Sequence, residues 1–179
     1  MMITCKAKML NLKRPGLHSD PIVNRIAIFV DVQNIYYTTR DTYGRQFNYR
    51  QFWKKVSSQG VIVSAYAYAT QRNDDKQQKF QDALKHIGFE VKLKPFIQRR
   101  DGSAKGDWDV GITIDILDAV KNVDTIILLS GDGDFDLLLK KIKNDYGITT
   151  EIYGVSALTA NSLIDAADVY HRIEDNLLQ

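Results

Sequence analysis

Between Thr125 and Ile142 the chain runs apolar, turns acidic, and runs apolar again on a different period, and few folds accommodate that pattern. Thr125-Ile-Ile-Leu-Leu129 is β-branched or apolar throughout, as in a strand covered on both faces of a parallel sheet. Ser130 and Gly131 close it. From Phe135 the apolar positions are Phe135, Leu138, Leu139 and Ile142, one stripe of an α-helix, and Asp134 stands just before them where an N-cap belongs. Asp132 and Asp134 therefore fall at the carboxyl end of a central strand, where open α/β sheets bind their ligands.

The same theme opens the ordered part of the chain. Arg25-Ile-Ala-Ile-Phe-Val-Asp31 reads as a second buried strand ending in an aspartate. Asn48 caps an expected helix through about Val56, and Val61–Thr70 is rich in strand-forming residues. Asp74 and Asp75 start a helix carrying Phe80, Leu84 and Ile87, which Gly88 ends. Phe89–Lys94 alternates and reads as a strand near an edge, with Lys92 and Lys94 protecting its outward face. Pro95–Gly106 is polar and basic, the pattern of a loop. Asp107-Trp108-Asp109 opens a helix with an apolar stripe at Val110, Ile114, Leu117 and Val120, and Trp108 is expected to be exposed. Short strands at 149–154 and 169–173 flank a helix over about 158–166. The order β-α-β-α-β-loop-α-β-α-β-α-β predicts a three-layer α/β/α sandwich around a mainly parallel sheet. Residues 1–24 are expected to be a basic, flexible leader, and residues 25–179 a single domain.

Composition narrows the function classes. An apolar fraction of 44% supports one core, and 24 basic against 22 acidic residues leave a net charge of +2, so any polyanion must be gripped by local clusters. The lone Cys5 has no partner for a disulfide, which suits a reducing cytoplasm, and no apolar run approaches the ~18 residues that span a bilayer. His18, His86 and His171 lack zinc spacing, and no phosphate-binding glycine loop follows a strand.

What remains is carboxylate chemistry. If the strands ending at Asp31 and Asp132 are neighbours, their acids flank the crevice of the fold, with Asp107 and Asp109 over the same edge and Asp134 beside them. Acids so gathered raise one another's pKa unless a cation compensates, and the oxygen-only donor set points to Mg²⁺ or Mn²⁺. Such a site suits hydrolysis of phosphodiesters by water, with no side-chain nucleophile. Asn34 and Ser130 are placed to contact a phosphate or fix a ligand carboxylate, and Lys105 to hold an oxyanion. Each acid also has a purely structural explanation: capping for Asp134, and the helix dipole for Asp107, Asp109 and Asp136. Asp115, about 240° around the helix from Asp109, reads as structural.

Three segments, Phe29-Val-Asp-Val-Gln-Asn34, Lys105-Gly-Asp-Trp-Asp-Val-Gly-Ile-Thr-Ile-Asp115 and Leu129-Ser-Gly-Asp-Gly-Asp-Phe135, carry a resemblance. In this order they make the chain similar to NYN domains of the LabA-like group, a branch of the PIN-like nuclease superfamily. The resemblance implies a PIN-like fold with strand order 3-2-1-4-5. It also implies a Mg²⁺- or Mn²⁺-dependent ribonuclease with Asp31, Asp109, Asp132 and Asp134 as its acidic cluster. Asp107 competes with Asp109, and the spacing from Asp109 to Asp115 keeps the family pattern.

The expected partner is RNA, in single-stranded form. Arg99, Arg100 and Lys105 offer charge, and Tyr36, Tyr37, Arg40, Tyr43 and Arg45 mix stacking surface with cations. A catalytically inactive RNA- or protein-binding regulator and a Mg²⁺-dependent nucleotide phosphatase stand as alternatives, and a homo-oligomer is left open.

Overall fold

Six parallel strands form the centre of the molecule, and the order in which they lie decides where a ligand can sit. The computed structural model describes residues 23–71, 74–95, 97–98, 104–105 and 107–179. The segment expected to be a leader lies outside them up to residue 22.

Strand β1 (Arg25–Asp31) is central, with β2 (Val61–Gln71) and then β3 (Glu90–Pro95) on one side. A two-stranded antiparallel ribbon follows, β4 (Ile97–Gln98) with β5 (Ala104–Lys105), in the stretch expected to be loop. On the other side of β1 lie β6 (Thr125–Leu129), β7 (Thr149–Gly154) and β8 (Val169–Arg172). Counting only strands of the main sheet, the order is 3-2-1-4-5-6, all parallel. The connections reverse direction between β1 and β6, whose register runs from Ile26 opposite Thr125 to Val30 opposite Leu129. Two acid-tipped strands thus end side by side.

Alternation along β1 divides the core. Ile26, Ile28 and Val30 face the layer of α1 (Val32–Tyr43), α2 (Tyr49–Ser57) and α3 (Asp75–Ile87). Ala27 and Phe29 face α4 (Asp109–Ala119), α5 (Asp136–Tyr146) and α6 (Asn161–Ala166). Asn48 and Asp74 cap α2 and α3 as expected, accepting from the amides of Gln51 and Gln77. No helix among the described residues is long and apolar enough to cross a membrane.

Two further details differ from the sequence expectations. Helix α1, absent from the expected order, starts directly after β1: the Asp31 carboxylate accepts from the Asn34 amide at 3.0 Å, and Gly44 ends the helix at φ 64°. Its β-branched and aromatic residues are weak helix formers, so cap and packing override propensity. The buried stripe of α4 is Ile112 and Ile116, continued by Val120 just past its end, whereas Val110 and Ile114 are 68% and 55% exposed. That helix is apolar around most of its circumference, so periodicity alone leaves its inward face undetermined.

Candidate metal centre

The carboxyl ends of β1 and β6 and the start of α4 bring four aspartates to one crevice. Asp31 is the last residue of β1. Burial pushes its carboxyl up to about 6; the Asn34 amide opposes this, and the charges of Asp109 and Asp132 add to it. Asp109, the first residue of α4, is also raised, first by burial and then by Asp132, Asp107 and Asp134.

Asp132 follows the β6 strand end and caps a 3-10 turn over Gly133–Phe135, its Oδ1 accepting from the Asp134 amide at 3.0 Å. This corrects one expectation: Asp134 is not an N-cap. The intervening turn gives the capping to Asp132 and puts the buried Phe135 at the boundary of α5, and Asp134 stands exposed. With capping assigned elsewhere, that purely structural explanation for Asp134 is gone.

Ligand oxygens of Asp109, Asp132 and Asp134 lie within 4.8 Å of one another. Asp31 stands outside this triplet but lines the same cleft, together with Gln33, Asn34, Tyr37, Asp107 and Trp108. No lysine or arginine among the described residues makes an ion pair with any of the four acids. Carboxylates that converge with no ion pair among the described residues, on an oxygen-only donor set, fit a hard divalent cation; the more distant charge of Lys94 lowers Asp109 only as the least of its influences.

The remaining expected contacts are placed as follows. The Asn34 Oδ1 accepts from the Gly131 amide at 2.9 Å, tying α1 to the end of β6 and leaving its amide N–H groups and the second Oδ1 lone pair for a ligand. Ser130 is fully buried, and its Oγ accepts from the Asp132 amide at 3.2 Å, so it braces the acid and cannot meet a substrate. Tyr36 is exposed beside the cleft, with Arg40 donating to its hydroxyl. Arg99 and Arg100 lie outside the described residues, as does the side chain of Lys105.

Sequence reasoning missed a supporting network. Lys92, expected to be edge protection, pairs with Asp115 at 2.7 Å, and the Tyr68 hydroxyl donates to the same carboxylate oxygen at 2.6 Å. Lys94 donates to the Asp107 carbonyl at 2.9 Å and lies over the Trp108 ring. Trp108, expected to be exposed, is half-buried and donates its Nε1–H to the Ala69 carbonyl. These contacts fix the start of α4, and so Asp109, against β2 and β3. Alternation did place both lysines on one face of β3; it did not reveal that α4 covers that face.

Asp31→Asn is expected to stabilise the metal-free protein. The folded carboxyl titrates near 6 and the unfolded one near ~3.9, so the native state holds this proton more tightly. The stability that Asp31 contributes is complete below about pH 4 and is lost as pH rises through about 6. Asparagine keeps the cap and cannot ionise. Urea unfolding in EDTA at pH 4 and pH 8 should show the variant gaining roughly 1–3 kcal/mol on wild type between the two. A gap that does not widen with pH refutes the reading.

The family model described as NYN domain matches residues 25–174. The low amplitude and bright protein LabA of Synechococcus elongatus is 29% identical over 160 residues, which is 85% of this chain and 85% of LabA. The crystal structure of a protein of unknown function from Vibrio parahaemolyticus is similar with a TM-score of 0.86 at 51% identity, covering 90% of this chain and 99% of that one.

Proposed function

Since the chain belongs to the NYN domain family, we propose that it is a divalent-metal-dependent ribonuclease that hydrolyses phosphodiester bonds of single-stranded RNA. The observation that carries this is the convergence of Asp109, Asp132 and Asp134 within 4.8 Å, with no described cation paired to them.

In this reading those three carboxylates hold Mg²⁺ or Mn²⁺. When bound, the ion supplies a Lewis acid that offsets charge on the phosphoryl oxygens and lowers the pKa of a water. Asp31, set back from the triplet and titrating near 6, takes the proton of the attacking water on a carboxylate oxygen. The water oxygen bonds to phosphorus as the bond from phosphorus to the leaving ribose oxygen breaks, and that oxygen takes its proton from solvent water. Asn34, its Oδ1 held by Gly131, turns its amide N–H groups to a non-bridging phosphate oxygen. Half-burial at Trp108 and Asp109 limits bulk water at one wall.

The test is cleavage of a labelled unstructured RNA by the intact chain with Mn²⁺, with Mg²⁺ and with EDTA, beside mononucleotide substrates. Cutting of the polymer that EDTA abolishes is the expected result. Release of phosphate from mononucleotides alone would make it a nucleotide phosphatase, and binding without cutting under every metal would make it a non-catalytic regulator; either outcome overturns the proposal.

A further inference from the structure

A second cavity of 330 Å³ opens beside the acidic cleft, and Gln33 and Tyr37 line both. Its walls come from the start of α1, the segment leading into α2, the carboxyl end of β2 and the first turns of α3. Five of its residues are aromatic: Tyr36, Tyr37, Phe47, Tyr49 and Phe80. Tyr36 and Tyr37 meet edge to face at 5.3 Å and are each 42% exposed, so their rings offer surface that the core does not use. Phe47 and Phe80 both pack against Tyr49, at 4.9 Å and 5.7 Å, and fix its ring. The Tyr49 hydroxyl is hydrogen-bonded to no described residue; burial chiefly, and then the charge of Asp31, raise its pKa, and the second influence places it near the acid site.

The chemistry of the lining is selective. Gln33, Gln46 and Gln77 bring three amides, each a donor and an acceptor, and among the described residues the lining contains Lys76 but no carboxylate. Aromatic faces with amide edges suit a flat, uncharged ring that carries its own donors and acceptors. At the low end of the ~300–1,000 Å³ range of ligand pockets, the cavity has room for one such ring system. Unpaired bases are recognised in this way, by stacking and by hydrogen bonds to their edges.

We propose that the cavity takes one unpaired nucleobase of a single-stranded RNA, the one adjoining the phosphate at the acids. The inference rests on the ribonuclease reading above and adds to it a subsite that requires an unpaired base at a fixed distance from the cut. Duplex RNA is excluded because a paired base cannot enter, and the shared wall of Gln33 and Tyr37 joins the sugar-phosphate path to the base.

Binding without cutting tests this. Fluorescent single-stranded RNA is titrated in EDTA with the full chain, with Tyr36→Ala and with Gln77→Trp, and an RNA of the same length lacking its bases serves as the control. Tyr36 is exposed, so its removal spares the core, and tryptophan at 77 fills the cavity from a helix surface. Each variant should bind the full RNA between about 5-fold and about 100-fold more weakly and the base-free RNA unchanged. Equal binding of the full RNA by all three proteins overturns the subsite, and metal-dependent cutting by the intact chain then leaves the ribonuclease reading standing. Binding of AMP or UMP, lost in both variants, with no binding of RNA, overturns the RNA assignment and the ribonuclease reading together and makes a free nucleotide the occupant.

Discussion

Asp132→Asn is expected to lower RNA cleavage by at least about 100-fold while the protein stays folded. The substitution changes one oxygen to nitrogen. Its Oδ1 can still accept from the Asp134 amide, the contact that caps the 3-10 turn, and asparagine caps as well as aspartate. What is lost is a charge at the centre of the group formed with Asp109 and Asp134. Charge stabilisation by a bound ion is worth several kcal/mol in a transition state, and two powers of ten correspond to about 2.7 kcal/mol. RNA binding in EDTA should hold or improve, because a phosphate approaches one negative charge fewer. Single-turnover cleavage with a thermal melt on the same preparation decides it: a folded variant that cuts within a few-fold of wild type removes Asp132 from the chemistry.

Gly131→Ala should act on the same residue through the backbone. A Cβ at Gly131 would lie 2.6 Å from the Leu158 carbonyl oxygen and 3.2 Å from the Thr159 Cα. Both are main chain, so no side-chain rotation relieves the clash. Gly131 also donates to Asn34 and accepts from the Ala160 amide at 3.0 Å, so the strand end is held on both sides. Overpacking of this kind costs about 1–3 kcal/mol, which for a chain of this size lowers the melting temperature by roughly 3–10 °C. Relief by movement of β6 carries Asp132 with it, so cleavage should fall at temperatures where the variant is still folded. An unchanged melt and an unchanged rate would show that the loop after β7 yields freely.

Strands and strand-end acids were legible because their signals are local. A run such as Ile126–Leu129 between a β-branched start and Ser130-Gly131 admits few readings, and an aspartate closing it has nowhere to go but the sheet's end. The strand order and the grouping of distant acids came from the three-motif resemblance. Helix α1 escaped because its evidence is a single capping contact and a weakly helical composition. The inward face of α4 escaped because Ile112 and Ile114 are equally apolar, and only the sheet chooses between them. Lys92 and Lys94 were misplaced for the same reason: whether a strand face meets water or a helix depends on a segment some twenty residues downstream. The adjoining cavity had no short-range signature, being walled by residues from four separate stretches.

Placing β1 between β2 and β6 has a consequence for synthesis. The contacts that seat β1 against its second neighbour join residues as far as 99 positions apart, as in the Arg25–Asp124 pair. Closing so long a loop is slow compared with forming adjacent helices. A nascent chain that has emerged only through β3 carries Asp31 alone, with neither Asp109 nor Asp132 yet beside it. On the ribonuclease reading, the growing polypeptide is harmless to the message it is read from, and it gains its cutting centre only after β6 has left the ribosome and docked.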